Sequence, residues 1–451
     1  MKNPTFSKFF RISVFIVSLL IALDVEALTA SPKLQSKVQT PPISEFEVNG
    51  LKVIVKRRAG IATISVGMFV RGGVRELTPE TAGLENLTLL TAIEASKKFP
   101  RQILRKELSR TGSVLNVNAT EDFSLILLSC TKEHFDKSWE IFADTIVNPA
   151  FNPEDFLLVR ERVLTILRNR TISPDIFLDV LQRRFIYTNH PYSNDPLGTV
   201  ENLNRFKLED VKAYHQKILQ TSRLLLVVVG DVEKNDIQQK VEDYFSKLPK
   251  GDYKQAPLPA LNFERSTVDI AERPLPTNYV RGVFAAPSPS NPDYYAMRVA
   301  ISLLQSRVNQ EVRIKRQLSY APDASMNDNE ANTAYIYVTA TDANQAIKVM
   351  LEEIEKMRQQ PPDEDSFIGL PGFFLTLYYI RLETNVAQII ELGRYELIGG
   401  GWKNSLQFLD KIRQVTPKDV QKVAKKYMKN IRFIVIGNPS AINKKIFLGQ
   451  E

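Results

Sequence analysis

The sequence predicts an α+β protein built from two homologous domains, each an antiparallel-rich sheet packed with helices. Three observations carry this. Short apolar runs of strand character alternate with amphipathic stretches of helical spacing. Landmarks of the first half return in the second at an offset of 209 residues: Pro153-Glu154-Asp155 as Pro362-Asp363-Glu364, and Asp210-Val211 as Asp419-Val420. Between the copies lies a stretch of little apolar periodicity, residues 251–276, which holds Pro257, Pro259, Pro274 and Pro276.

The elements come in order along the chain. Phe46 to Lys56 alternates around Asn49-Gly50, a dipeptide suited to a tight hairpin turn. Ile64 to Val70 reads as a strand that ends at Arg71-Gly72-Gly73. Thr81 to Lys97 is apolar enough for a buried helix, and Val114 to Cys130 reads as two strands around Glu121-Asp122. Lys132 to Val147 has helical spacing. Pro153 to Arg170 is an amphipathic helix with acids at its start and arginines at its end, as the helix dipole favours. A helix over Leu208 to Leu219 leads to an apolar strand over Arg223 to Gly230, and the Asp419 helix leads to Phe433 to Gly437 in the same way. The domains are therefore expected at 44–250 and 277–451, joined through 251–276.

Composition narrows the function. At 451 residues the chain exceeds what one core usually holds. The 43% hydrophobic and 24% charged content excludes a rod or a disordered tail. A net charge of +8, from 59 basic and 51 acidic residues mixed throughout, gives no nucleic-acid footprint. Cys130 stands alone, so neither a disulfide framework nor a site of several thiolates is available. Its expected place is a strand core. His190 is expected to be structural in a His-Pro-Tyr turn, His134 and His215 to lie on polar helix surfaces, and Gly399-Gly400-Gly401 to form a loop after a helix.

The N-terminus has targeting character. Lys2, Lys8 and Arg11 precede an apolar run, Ile12 to Leu23, and small residues continue to Val25-Glu26-Ala27. That is the pattern of a signal peptide over 1–27, with residues 28–43 as a polar linker. The run is shorter than the ~20 residues of a spanning helix, and an uncleaved interfacial anchor is the alternative. An exported protein is expected, with the bacterial periplasm as its compartment and no membrane span beyond the signal.

Arg71-Gly72-Gly73 followed by Gly83-Leu84 opening a helix resembles the insulinase/pitrilysin group of zinc peptidases, the inverzincins. His190-Pro191-Tyr192 with Gly198, and the Asp210 helix leading to Gly230-Asp231, extend the resemblance over most of residues 44–440. The group carries H-x-x-E-H on that first helix, where the side chains share one face around a metal. Aligned on Gly83-Leu84, the three positions hold Asn86, Leu89 and Leu90, and the neighbourhood of the further glutamate ligand, Leu164 to Leu167, holds only leucine, threonine and isoleucine. The resemblance thus implies a chain without zinc.

The same resemblance assigns Arg313 and Tyr320 to the pair that binds the scissile carbonyl, where a guanidinium fork and a phenol stabilise oxyanion charge. Their spacing of seven residues is close to two helical turns, so one helix face is expected to present both. Asn116 matches the strand that pairs with substrate backbone. Together these features imply the non-zinc subunit of a heterodimeric metallopeptidase, one half of a clamshell chamber. A homologous zinc-bearing subunit would be its partner and an unfolded peptide its substrate. No cofactor is expected in this chain; zinc is expected in the partner. Two alternatives remain open: a catalytically inactive scaffold or assembly subunit, and a peptide-binding module.

Overall fold

The computed structural model describes residues 43–261 and 263–449. The signal-peptide segment and nearly all of the polar linker lie outside the described residues. The first strands, β1 (Ile43–Val48) and β2 (Leu51–Arg57), form a hairpin. Asn49 and Gly50 turn it at φ of 49° and 85°, the left-handed pair that two-residue hairpins prefer. With β3 (Thr63–Arg71), β4 (Val114–Ala119), β5 (Phe123–Thr131) and β6 (Leu224–Gly230) they make a six-stranded sheet of order β1-β2-β6-β3-β5-β4. The second sheet holds β7 (Thr267–Glu272), β8 (Asn278–Ala285), β9 (Asp323–Met326), β10 (Thr333–Ala340) and β11 (Arg432–Gly437), in order β7-β11-β8-β10-β9.

The duplication is visible strand by strand. Without β1, the first sheet reads β2-β6-β3-β5-β4, and each strand has its counterpart at the same place in the second. In each sheet one ladder is parallel, β2 with β6 and β7 with β11, and the others are antiparallel. The architecture is α+β with antiparallel-rich sheets, as expected. The join is shorter than the sequence suggests, because Thr267 to Glu272 pairs in register with Arg432 to Gly437 as β7. A six-residue run among prolines carries little periodicity of its own; its strand state comes from a partner far along the chain.

Each half covers the other's sheet. Helix Pro174–Ile186 of the first half packs on β8 and β11. Its Leu178, Leu181 and Ile186 are buried among Val283, Ile434 and Ile436. Helix Asn385–Ile398 of the second half packs on β3 and β6, and buries Ile389 and Leu392 against Phe69, Leu225 and Val227. That explains why all seven residues of β6 are buried, since a strand covered on both faces is apolar throughout. Polar contacts mark the same crossings: Lys52 with Glu396 at 2.8 Å, Arg281 with Asp179 at 2.6 Å, and Trp402 Nε1 donating to Glu45 at 2.7 Å.

Other expectations shift locally. The helix expected over 81–97 spans only Leu84–Ala92, because Gly83 enters it in a left-handed conformation and residue 96 turns to pair with Pro149. His215 is not a surface residue. It is buried, donates from Nε2 to the Ile146 carbonyl at 2.9 Å and meets the Phe151 ring edge-on, and burial lowers its pKa. His190 is structural: Nδ1 accepts from the Tyr192 N–H at 3.1 Å and Nε2 donates to the Pro259 carbonyl at 3.2 Å, which fixes the neutral tautomer. Cys130 is a core residue whose thiol burial pushes up to about 11.

Candidate functional site

Helix Leu84–Ala92 stands where the resemblance places a metal. A Cβ on Gly83 would lie 2.6 Å from the Cα of Gly198, so the helix N-terminus and the 198 turn touch through bare backbone. Asn86 and Leu89 are buried and Leu90 is half-buried. Helix Pro153–Asn169 packs beside this helix and contributes Leu164 and Leu167 to the same core. Leu89, Leu164 and Leu167 thus belong to one apolar cluster, with Leu90 packed against it. Asn86 supplies the face with one amide, whose nitrogen is buried without a hydrogen-bond partner. No group of three or more His, Cys, Asp or Glu side chains that would hold a metal occurs among the described residues. One amide and a set of leucines do not fit zinc, which takes thiolate, imidazole or carboxylate donors.

The flank of the helix beside this face, where Glu85 stands one turn before Leu89, is polar and closed. Glu85 is buried, accepts from Ser124 Oγ at 2.5 Å and Tyr214 Oη at 2.8 Å, and pairs with Arg223 at 3.2 Å. Burial raises its pKa, and the Arg223 guanidinium opposes that shift. Arg223 also donates to the Arg71 carbonyl and lies 4.9 Å over the Tyr253 ring. With both carboxylate oxygens engaged and the side chain fully buried, this network holds the helix. Its sequence signal is a lone acid inside an apolar helical run.

A second polar cluster ties the halves together. Tyr192 donates to Asp122 through its phenol, and the Glu330 N–H donates to the other carboxylate oxygen at 3.0 Å. Arg75 pairs with Glu330 and lies 4.0 Å from Asp122. Burial holds the Asp122 carboxyl up at about 6.

Arg313 and Tyr320 come together, though not on one helix face. Arg313 lies in a wide π-helical segment, Asn309–Lys315, that continues helix Tyr294–Val308. Gln317 at φ 53° then ends the helix, and the Leu318 N–H closes the turn on the Val312 carbonyl at 2.9 Å. Tyr320 folds back so that the guanidinium carbon of Arg313 sits 4.3 Å above its ring, a cation–π stack. The ring is 80% exposed. The neighbouring cations are engaged: Lys315 bonds Glu311 at 2.6 Å and Arg316 bonds it as well, and both hold the Glu311 carboxyl down at about 2. Arg313 makes no ion pair among the described residues, so its guanidinium fork stays available.

Asn116 lies in β4, the outermost strand of the first sheet, which pairs with β5 alone among the described residues. Val114, Asn116 and Asn118 are exposed while Leu115 and Val117 pack inward, so a free backbone edge runs beside them. Asn116 makes no hydrogen bond or ring contact with Arg313 or Tyr320 among the described residues.

This duplicated two-sheet fold, with its metal helix stripped of donors, defines a peptidase-type scaffold. The family described as Insulinase (Peptidase family M16) matches residues 52–172, and Peptidase M16 inactive domain matches residues 205–368. The chain belongs to the insulinase family, peptidase family M16. Among relatives, the zinc protease PqqE of Helicobacter pylori is 27% identical over 217 residues, which cover 47% of this chain and 48% of that one. The chain thus spans about half the length of that relative. The mitochondrial-processing peptidase subunit beta of Saccharomyces cerevisiae is 20% identical over 434 residues, covering 89% of this chain and 92% of that one. The crystal structure of a peptidase M16 inactive domain from Pseudomonas fluorescens superposes with a TM-score of 0.81 at 16% identity, covering 88% of this chain and 98% of that one. At that identity it shows a shared fold.

Proposed function

We propose that this chain is the zinc-less subunit of a two-chain metallopeptidase and supplies the half that holds the substrate. The observation that carries this is an asymmetry: the metal face is filled with leucine, whereas Arg313 is free of ion pairs among the described residues and stacked on an exposed Tyr320. Arg313 and Tyr320 donate hydrogen bonds to the scissile carbonyl of a bound peptide and orient it. The free edge of β4 beside Asn116 accepts an extended peptide as an added strand. Zinc and the general base come from the partner, a homologous subunit.

Exposed apolar helix faces support a partner. Phe373, Leu377 and Ile380 form one stripe on helix Leu370–Arg381, and Leu157, Leu158 and Ile166 stand exposed on helix Pro153–Asn169. No helix of the described residues is long and apolar enough to cross a membrane. The signal-like N-terminus supports export, with the periplasm as the working compartment.

The test is to purify the tagged chain from its native cells and assay a quenched peptide with and without a zinc chelator. The proposal expects chelator-sensitive cleavage that disappears when the co-purifying chain is removed. A clean, inactive, zinc-free chain with no companion overturns it in favour of a binding module.

A further inference from the structure

The two halves treat one position differently. In the first half, helix Lys234–Phe245 lies against helix Phe135–Val147 and strands β1 and β2. It fills that place with Ile237, Val241 and Phe245, none of which has exposed surface. The Phe245 ring meets Trp139 edge-on at 6.3 Å. In the second half, the corresponding helix, Ala343–Gln359, and strand β7 carry only one short turn at this place, Lys444–Phe447, among the described residues.

Next to that turn lies a groove of about 730 Å³. Its floor is apolar, with Leu351, Ile354, Met428 and Ile431 among the lining residues. Its rim is basic: Lys348, Arg358, Lys429 and Lys445 stand against Glu352 and Glu355. Arg358 bonds Glu355 at 2.5 Å, while Lys429 and Lys445 make no ion pair among the described residues.

We propose that this groove receives an acidic amphipathic helix from a partner protein, seated as the first half seats its own helix. The first half shows what the place accepts: apolar side chains four residues apart, as in Val241 and Phe245, with the polar face outward. Lys429 and Lys445 on the rim favour a helix whose flanks carry Asp or Glu. This inference stands apart from the carbonyl-binding reading, since it uses neither Arg313 nor Tyr320.

The experiment uses the full chain and a fluorescent peptide of residues 234–248 carrying Lys234→Glu and Lys240→Glu. Saturable binding is expected, weakened about tenfold or more by Lys429→Glu with Lys445→Glu. Leu351→Glu is expected to weaken it as well; Leu351 is half-buried, and an unchanged melting temperature confirms that this variant folds. The peptide with its native lysines is expected to bind more weakly than the acidic one. Absence of saturable binding, or equal affinity for all the groove variants, overturns the proposal. Sedimentation of the chain alone decides against a second copy as occupant: a dimer that Leu351→Glu dissolves would likewise overturn it.

Discussion

Helix Leu84–Ala92 and the segment 309–320 are the two places where this family resemblance puts chemistry, and they have opposite characters. The first faces inward, with Leu89 and Leu164 packed in one core and Glu85 locked in a closed polar network. The second faces outward, with an exposed tyrosine and an arginine that no acid among the described residues neutralises. Where a functional face becomes core, apolar packing secures the helix that a metal would otherwise anchor. A face kept polar and exposed does little for the fold, and the binding role proposed for Arg313 and Tyr320 is the claim to test there.

Turning the first face polar should have the largest effect. Leu89→Glu places a carboxyl in an apolar cluster, and a loss of about 5 kcal/mol is expected in urea unfolding. The triple variant Asn86→His, Leu89→Glu, Leu90→His is expected to take up no zinc by elemental analysis, since Leu164 to Leu167 offer no further donor. A stable, zinc-loaded triple variant would contradict the account. On the polar side, Arg223→Met leaves Glu85 buried without its cation, at a cost of about 4 kcal/mol. Adding Glu85→Gln should return part of that loss, a non-additivity that a double-mutant cycle reads.

The crossing helices provide a symmetric test. Leu181→Ala and Ile389→Ala each empty a side chain buried against the other half's sheet, and each should cost about 3 kcal/mol. A single cooperative transition in both variants is expected of halves that share their cores, whereas two separate transitions would mean that the halves fold independently.

The seam adds a pH signature. Asp122 holds its proton up to about pH 6 in the folded chain, above its ordinary 3.8. A raised folded pKa of an acid means that the folded state binds the proton more tightly. Stability from this group is therefore full below about pH 4, falls as pH rises to about 6 and then levels, by on the order of 2–3 kcal/mol. Asp122→Asn should flatten that slope, measured by urea unfolding between about pH 4 and 7. An unchanged slope would remove Asp122 as its source.

Much of this is legible in the sequence because it is local. Asn49-Gly50 announces its hairpin, and the apolar run ending at Gly230 announces its strand. The Asp210 and Asp419 landmarks mark helices Leu208–Ile218 and Pro417–Tyr427, each of which precedes a corresponding strand. What escapes the sequence depends on distant partners. Helix Pro174–Ile186 shows little by itself, since the surface it buries against belongs to the other half. His215 reads as superficial because the carbonyl it bonds, that of Ile146, lies on another helix. The spacing of Arg313 and Tyr320 suggests two helical turns. The chain brings them together instead through a left-handed residue at Gln317, a conformation that spacing alone does not reveal.

The most direct measurement is the Arg313→Ala variant in the reconstituted two-chain complex. A fall in kcat/KM of about 100-fold is expected, with stability changed by less than about 0.5 kcal/mol and partner binding intact. An unchanged kcat/KM in an intact complex would contradict it and leave the chain as a scaffold.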